Sequence, residues 1–233
     1  TVVLKPSESA PKTGAIVAQI IEEAFPKEWV TVVEGGPAVA QELLEFSWDY
    51  IFYTGSTTVG KLVAQVAAKN LIPTTLELGG KSPCIVEDSA PLKSTAKRIV
   101  WGKFLNCGQT CIAPDYILVP PHKKEALMTA LKKEIIHAFG ENPAKSKDYG
   151  RIINKIHIER LKENIKNQDV FYGGDFEEEQ RYAGPTIVDS PSLNSQLMTE
   201  EVFGPILPVL TYKNKEELEQ IINGLDKPLA LYV

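Results

Sequence analysis

Short runs of β-branched and aromatic residues alternate with longer amphipathic stretches through the first third of the sequence, and this alternation constrains the fold more than any other feature. Strands are predicted at residues 1–4, 29–33, 50–53 and 74–78, each apolar and bounded by Gly, Pro or charge. Helices are predicted at 12–24, 38–45 and 58–69. They open after a Ser/Pro-rich start, after Gly35-Gly36-Pro37 and after Gly55-Ser56-Thr57. Strands and helices in strict alternation give parallel strands with helices on both faces, a doubly wound α/β segment.

Past Gly79-Gly80 the rhythm loosens. Strands are predicted at 83–87 and 116–119 and a helix at 92–104, while Leu127, Leu131, Ile135 and Phe139 mark one helical stripe. Helices at 154–166 and 215–223 flank extended pieces at 182–188 and 206–212, and residues 173–180 read as an acidic surface loop. The boundary is therefore expected near Gly80, with one α/β portion over residues 1–80 and a second over 81–233. The sequence opens inside what should be a central strand and closes on an apolar, uncapped run at 229–233, so a fragment is expected.

Composition narrows the function classes. A chain of 233 residues with 43% hydrophobic and 24% charged residues has the balance of a globular domain or two, not of a disordered or fibrous chain. Lys plus Arg number 25 and Asp plus Glu 30, a net charge of −5, which excludes binding driven by nucleic-acid phosphates or acidic lipid and favours a small-molecule partner. No apolar run approaches the length of about 18 residues that spans a membrane, and the first residues lack a signal-peptide layout. Three cysteines, an odd number in a chain this large, point to free thiols and the cytoplasm.

Five stretches could carry chemistry. Gly55-Ser56-Thr57-Thr58-Val59-Gly60-Lys61 stands where a strand gives way to a helix, a place that favours an anion such as phosphate. Leu62 replaces the hydroxyl residue of the NTPase phosphate loop, and the dinucleotide fingerprint is absent, so a plain glycine-capped turn explains the segment equally well. Lys5 and Glu8 put an ammonium and a carboxylate at the carboxyl edge of a parallel sheet, where ligands of such folds bind; a solvated surface pair is the alternative.

Asn106-Cys107-Gly108-Gln109-Thr110-Cys111 holds two competing thiols four residues apart, which on a helix would share a face; a buried apolar role is the alternative for either. No C-x-x-C and no histidine cluster supports a metal site. Glu77 ends an apolar strand before two glycines, where desolvation would raise its pKa for proton transfer, unless it points to water. Glu200-Glu201-Val202-Phe203-Gly204-Pro205 sets carboxylates beside an aromatic ring and a turn.

Taken in order, Leu4-Lys5-Pro6-Ser7-Glu8, Tyr53-Thr54-Gly55-Ser56-Thr57 with Gly60, Leu76-Glu77-Leu78-Gly79-Gly80-Lys81-Ser82-Pro83, Gly108-Gln109-Thr110-Cys111 and Glu200 to Pro205 resemble the aldehyde dehydrogenase superfamily over the whole sequence. Residues 101–116 and 227–233 are similar to its class 3 branch, which includes fatty aldehyde dehydrogenases. The resemblance implies a Rossmann-type parallel sheet followed by a second α/β catalytic domain. It makes Cys111 the nucleophile that passes through a thiohemiacetal and a thioester, and Glu77 the carboxylate that activates water; Cys107 falls on a variable position.

By the same resemblance, Lys5 and Glu8 would hold the adenosine ribose of NAD, with NADP also tolerated in class 3. Gly55, Ser56 and Gly60 would meet the pyrophosphate, and Leu78, Glu201 and Phe203 the nicotinamide end. An aldehyde substrate and, for the full-length protein, a homodimer are further implications. The asparagine that shares the oxyanion with the nucleophile's N–H lies upstream in the family, outside this sequence. Acylating relatives that hand the thioester to coenzyme A generally lack a carboxylate at the Glu77 position.

Overall fold

The computed structural model describes residues 1–233, which divide into two compact units, Thr1–Glu77 and Leu78–Val233.

In the first unit two strand–helix–strand pieces follow one another. β1 (Val2–Leu4) and β2 (Val30–Val32) pair in parallel around α1 (Pro11–Ala24), with Val2 opposite Val30. After α2 (Pro37–Leu44), β3 (Ile51–Thr54) and β4 (Thr74–Glu77) pair in parallel around α3 (Thr57–Lys69), with Ile51 opposite Thr74. The predicted strands and helices are all present, with ends shifted by no more than one residue, but the strands form two separate pairs rather than one sheet. Val63, Ala67 and Ile72 are buried, while Ile16, Ile20, Trp29 and Phe52 stay exposed.

The second unit is built on a five-stranded sheet. β5 (Pro83–Ile85), α4 (Leu92–Phe104), β6 (Tyr116–Val119) and α5 (Lys124–Phe139) come first, then α6 (Lys155–Ile165) and β7 (Asp169–Tyr172). A small hairpin of β8 (Phe176–Glu177) and β9 (Tyr182–Ala183) leads to β10 (Thr186–Asp189), α7 (Gln196–Thr199), β11 (Ile206–Thr211) and α8 (Lys215–Asn223). The sheet order is β5-β6-β11-β10-β7, parallel except for β7 at the edge.

Central strands covered on both faces must be apolar throughout, and β6 is buried at every residue. Ala96, Ile99, Val100 and Phe104 of α4 and Leu127, Leu131 and Ile135 of α5 close one face against Ile117, Val119, Leu207 and Val209. The predicted stripe on α5 is thus the face that packs. Tyr116, Leu118, Met198, Leu210 and Ile221 form the core of the other face.

Three expectations are corrected. Residues 173–180 are not a simple loop, because Phe176–Glu177 pairs with Tyr182–Ala183. The extended piece at 182–188 is two strands, broken where Pro185, which has no N–H to donate, interrupts the ladder. The run at 229–233 forms only one bridge, Tyr232 beside Cys84, in place of a strand.

Candidate active site

Where α4 ends at Phe104, the chain turns through three successive left-handed residues, Asn106 (φ 51°), Cys107 (φ 55°) and Gly108 (φ 72°). Two of them bear side chains, for which this conformation is costly, so the surroundings must hold the bend. At Gly108 only glycine fits, because a Cβ would run into the carbonyl of Gly204. The turn that carries one of the thiols therefore lies directly on the 200–205 loop.

This bend separates the thiols. A helix with Cys107 and Cys111 on one face does not form. Cys107 is 1% exposed, packed with Tyr149, Ile152 and Val202, and burial pushes its thiol up to about 11. Cys84, inside β5, is likewise pushed up to about 11 by burial. Cys111 alone is exposed, in a β-turn closed by the Ala113 N–H donating to the Thr110 carbonyl at 3.0 Å.

Gln109 fixes the near side of that turn. Its amide nitrogen donates to the carbonyls of Asn106 and Arg151, both at 3.0 Å, and its oxygen accepts from the Ile153 N–H at 2.9 Å. Every hydrogen-bonding direction of the side chain save one acceptor lobe is used.

Beneath the 200–205 loop lies a buried charge cluster. Lys81 Nζ stands 2.6 Å from Asp115 and donates to the Leu197 carbonyl at 2.5 Å. Lys103, fully buried, is 3.8 Å from Asp115 and makes no hydrogen bond. The Asp115 carboxylate also accepts from the Val202 N–H at 3.0 Å, and Arg160 donates to the Val202 carbonyl at 2.7 Å. The loop backbone is thus gripped from both sides by charged groups.

Burial sets the electrostatics of this region. It lowers Lys103 to about 8 against the pull of Asp115, and raises Glu201 to about 7, with repulsion from Asp115 adding to the rise. Glu201 receives a backbone hydrogen bond from Gly80 and lies over Gly79, where a Cβ would strike its carboxylate. The second unit thus places Glu201 against Gly79 and Gly80, and Gly108 against Gly204. Phe203, at φ 42° and 36% exposed, presents its ring from a left-handed backbone position.

In the first unit, Lys5 Nζ donates to Glu8 at 2.9 Å and to the Pro6 carbonyl at 3.1 Å, just past β1. A backbone hydrogen bond within Glu8 and the Lys5 ammonium hold the Glu8 carboxyl below its usual range. Ser56 caps α3, accepting from the Val59 N–H at 3.3 Å, and Gly55 and Ser56 are exposed while Gly60 is buried in the helix. A Cβ at Gly55 would meet the Tyr53 phenol. Glu77 ends β4 with its side chain exposed, so the expected desolvation of this carboxylate is not found.

Residues 1–233 in their entirety match the family model described as the aldehyde dehydrogenase family. The chain belongs to that family. Among curated relatives, it is 45% identical over 235 residues to the 4,4'-diaponeurosporen-aldehyde dehydrogenase of Staphylococcus aureus, covering 100% of this chain and 51% of that protein. It is 47% identical over 232 residues to the dimeric NADP-preferring aldehyde dehydrogenase of Rattus norvegicus, with the same 100% and 51% coverage. The solved structure of Staphylococcus aureus AldH in its substrate-bound state superposes with a TM-score of 0.96 at 44% identity, covering 100% of this chain and 51% of that one. The chain spans about half the length of the curated relatives it matches.

Within this aldehyde dehydrogenase chain, Asp115, Lys103, Arg160 and Gln109 escaped sequence reasoning as supports of the site. The available signal was faint: Lys103 and Asp115 interrupt apolar segments that bury their neighbours, a position charged residues rarely occupy unpaired. No helix is long and apolar enough to cross a membrane.

Proposed function

We propose that the full-length protein oxidises an aldehyde to a carboxylic acid with NAD(P)+, using Cys111 as nucleophile and Glu77 to activate water. The observation that carries this reading is the separation of the thiols: Cys84 and Cys107 are buried and pushed up to about 11, whereas Cys111 is exposed. A thiolate is the reactive form, so the buried pair is poorly suited to attack near neutral pH.

The Cys111 thiolate adds to the aldehyde carbon, forming a C–S bond and placing negative charge on the former carbonyl oxygen. The Cys111 N–H is the oxyanion donor this chain supplies, and the pinned turn keeps it oriented before the charge develops. The nicotinamide, when bound, supplies the hydride acceptor that leaves a thioester on Cys111. Glu77, exposed at the end of β4, then takes a proton from water, whose oxygen adds to the thioester; the C–S bond breaks, the acid departs and the thiol is restored.

The first unit suits a dinucleotide. The start of α3, 13 residues long, has accessible first-turn residues at Ser56, Thr57 and Thr58, where free N–H groups meet phosphate oxygens. Glu8 and Lys5 would engage the adenosine ribose, and the negative Glu8 disfavours a 2′-phosphate, although the rat relative is named NADP-preferring. In the second unit Leu78, Glu201 and Phe203 would hold the nicotinamide end. We assign residues 1–80 to cofactor binding and 81–233 to catalysis. We further place the protein in the cytoplasm, in line with three free thiols, and as a homodimer, in line with the rat relative's name.

The direct test is Cys111→Ala in the full-length protein, assayed by NAD(P)H absorbance with aliphatic and aromatic aldehydes. At least a 1,000-fold loss, on the order expected when a covalent nucleophile is removed, is predicted, with cofactor binding retained. Full activity in Cys111→Ala would refute the reading.

A further inference from the structure

We propose that Tyr232 is a positioning residue for Cys111, its hydroxyl fixing the far side of the turn that presents the thiol. The proposal rests on the reading of Cys111 as nucleophile. Cys111 and Ile112 occupy the two central positions of the 110–113 turn, and both are exposed. An exposed turn tip ordinarily samples many orientations, and a nucleophile placed there would lose much of its advantage.

Gln109 restrains one side of this turn through Arg151 and Ile153. On the other side the Tyr232 hydroxyl donates to the Ile112 carbonyl at 2.5 Å, across 120 residues of sequence. That bond holds the peptide that follows Ile112 and so removes the freedom Gln109 leaves.

Tyr232 is itself firmly placed. Its N–H donates to the Pro83 carbonyl at 3.0 Å and its carbonyl accepts from the Ile85 N–H at 2.8 Å, fixing it beside β5. Its ring packs against the core under α4 and α5, leaving the hydroxyl tip to reach the turn. Upstream, residues 227–229 cross Gly80 so closely that a Cβ there would stand 3.0 Å from the Leu229 nitrogen. Ser82, fully buried, ties the assembly together: its hydroxyl accepts from the Ala230 N–H at 3.3 Å and its carbonyl from the Asp115 N–H at 2.8 Å. The arm that carries the phenol and the segment that follows the thiol therefore share one anchor.

Tyr232→Phe deletes the hydroxyl and keeps the ring, which makes it the informative change. In the full-length protein three readouts are compared with the parent: amide hydrogen exchange over residues 109–113, the rate of the first NAD(P)H turnover, and KM for the cofactor. Loss of one ordinary hydrogen bond predicts about fivefold faster exchange confined to that segment. First-turnover NAD(P)H formation should slow by about fivefold or more with cofactor KM unchanged, while the unfolding midpoint falls only by what one hydrogen bond contributes. A purely structural tyrosine would lower the midpoint likewise but leave the first turnover alone, and that result overturns the proposal. So would exchange and first-turnover rates equal to the parent's. If Cys111→Ala is inactive while Tyr232→Phe behaves as the parent, the nucleophile assignment stands and the role of Tyr232 falls; an active Cys111→Ala removes the assignment itself.

Discussion

Glu201 shows how burial gives one side chain a pH-dependent cost. Its folded-state value of about 7 lies above the ordinary carboxylate value of 4.5, so between these two the folded state binds more protons than the unfolded one. Stability contributed by this group is therefore present at low pH and is lost as pH rises toward 7. Glu201→Gln removes the titration. Thermal melts of the full-length variant should show its midpoint gaining on the parent by a few degrees between pH 5 and pH 8, and a constant difference would contradict the assignment. The residues alone read it as a carboxylate beside an aromatic ring, and the resemblance to aldehyde dehydrogenases implied a place at the nicotinamide end. Its raised value depends on burial, where it lies against Gly79, and on repulsion from Asp115, which lie 122 and 86 positions away and which no local pattern connects to it. Glu77 is the converse case: its place at the end of an apolar strand suggested desolvation, yet that strand finishes at the surface.

Among the elements, those with strong periodicity were readable. The α5 stripe buries Leu127, Leu131 and Ile135 as its spacing requires, and β6 is an unbroken apolar run because both faces of the sheet are covered. The left-handed turn at 106–108 was not readable, since two of its three residues bear side chains and nothing local prefers that conformation. It is set by the approach of Gly108 to Gly204 and by the grip on the 200–205 loop. Asp115 is central to that grip, being the acceptor for Lys81 and Val202 and the nearest anion to Lys103. Asp115→Asn removes the nearest counter-charge of two buried ammonium groups and should cost about 3–5 kcal/mol in denaturant unfolding. A loss under 1 kcal/mol would show that the cluster does not hold the loop.

At the scale of the molecule, the two units differ in how much apolar surface they cover. The second encloses three clusters around its sheet, whereas the first leaves Ile16, Ile20, Trp29 and Phe52 exposed. The alternation that pointed to a parallel α/β fold is present in both, and the pairing of strands into one sheet or two lies beyond what periodicity encodes. The functional account depends on one sulfur atom of the second unit forming a bond to substrate carbon, and on the carboxylate that ends the first unit releasing it. Both demands meet in a single measurement: rapid acid quench of full-length Glu77→Gln with aldehyde and NAD(P)+, followed by mass spectrometry of its peptides. An acyl adduct is expected to accumulate on Cys111; an adduct on Cys84 or Cys107, or steady acid production with no adduct at all, would rule out Cys111 as the nucleophile.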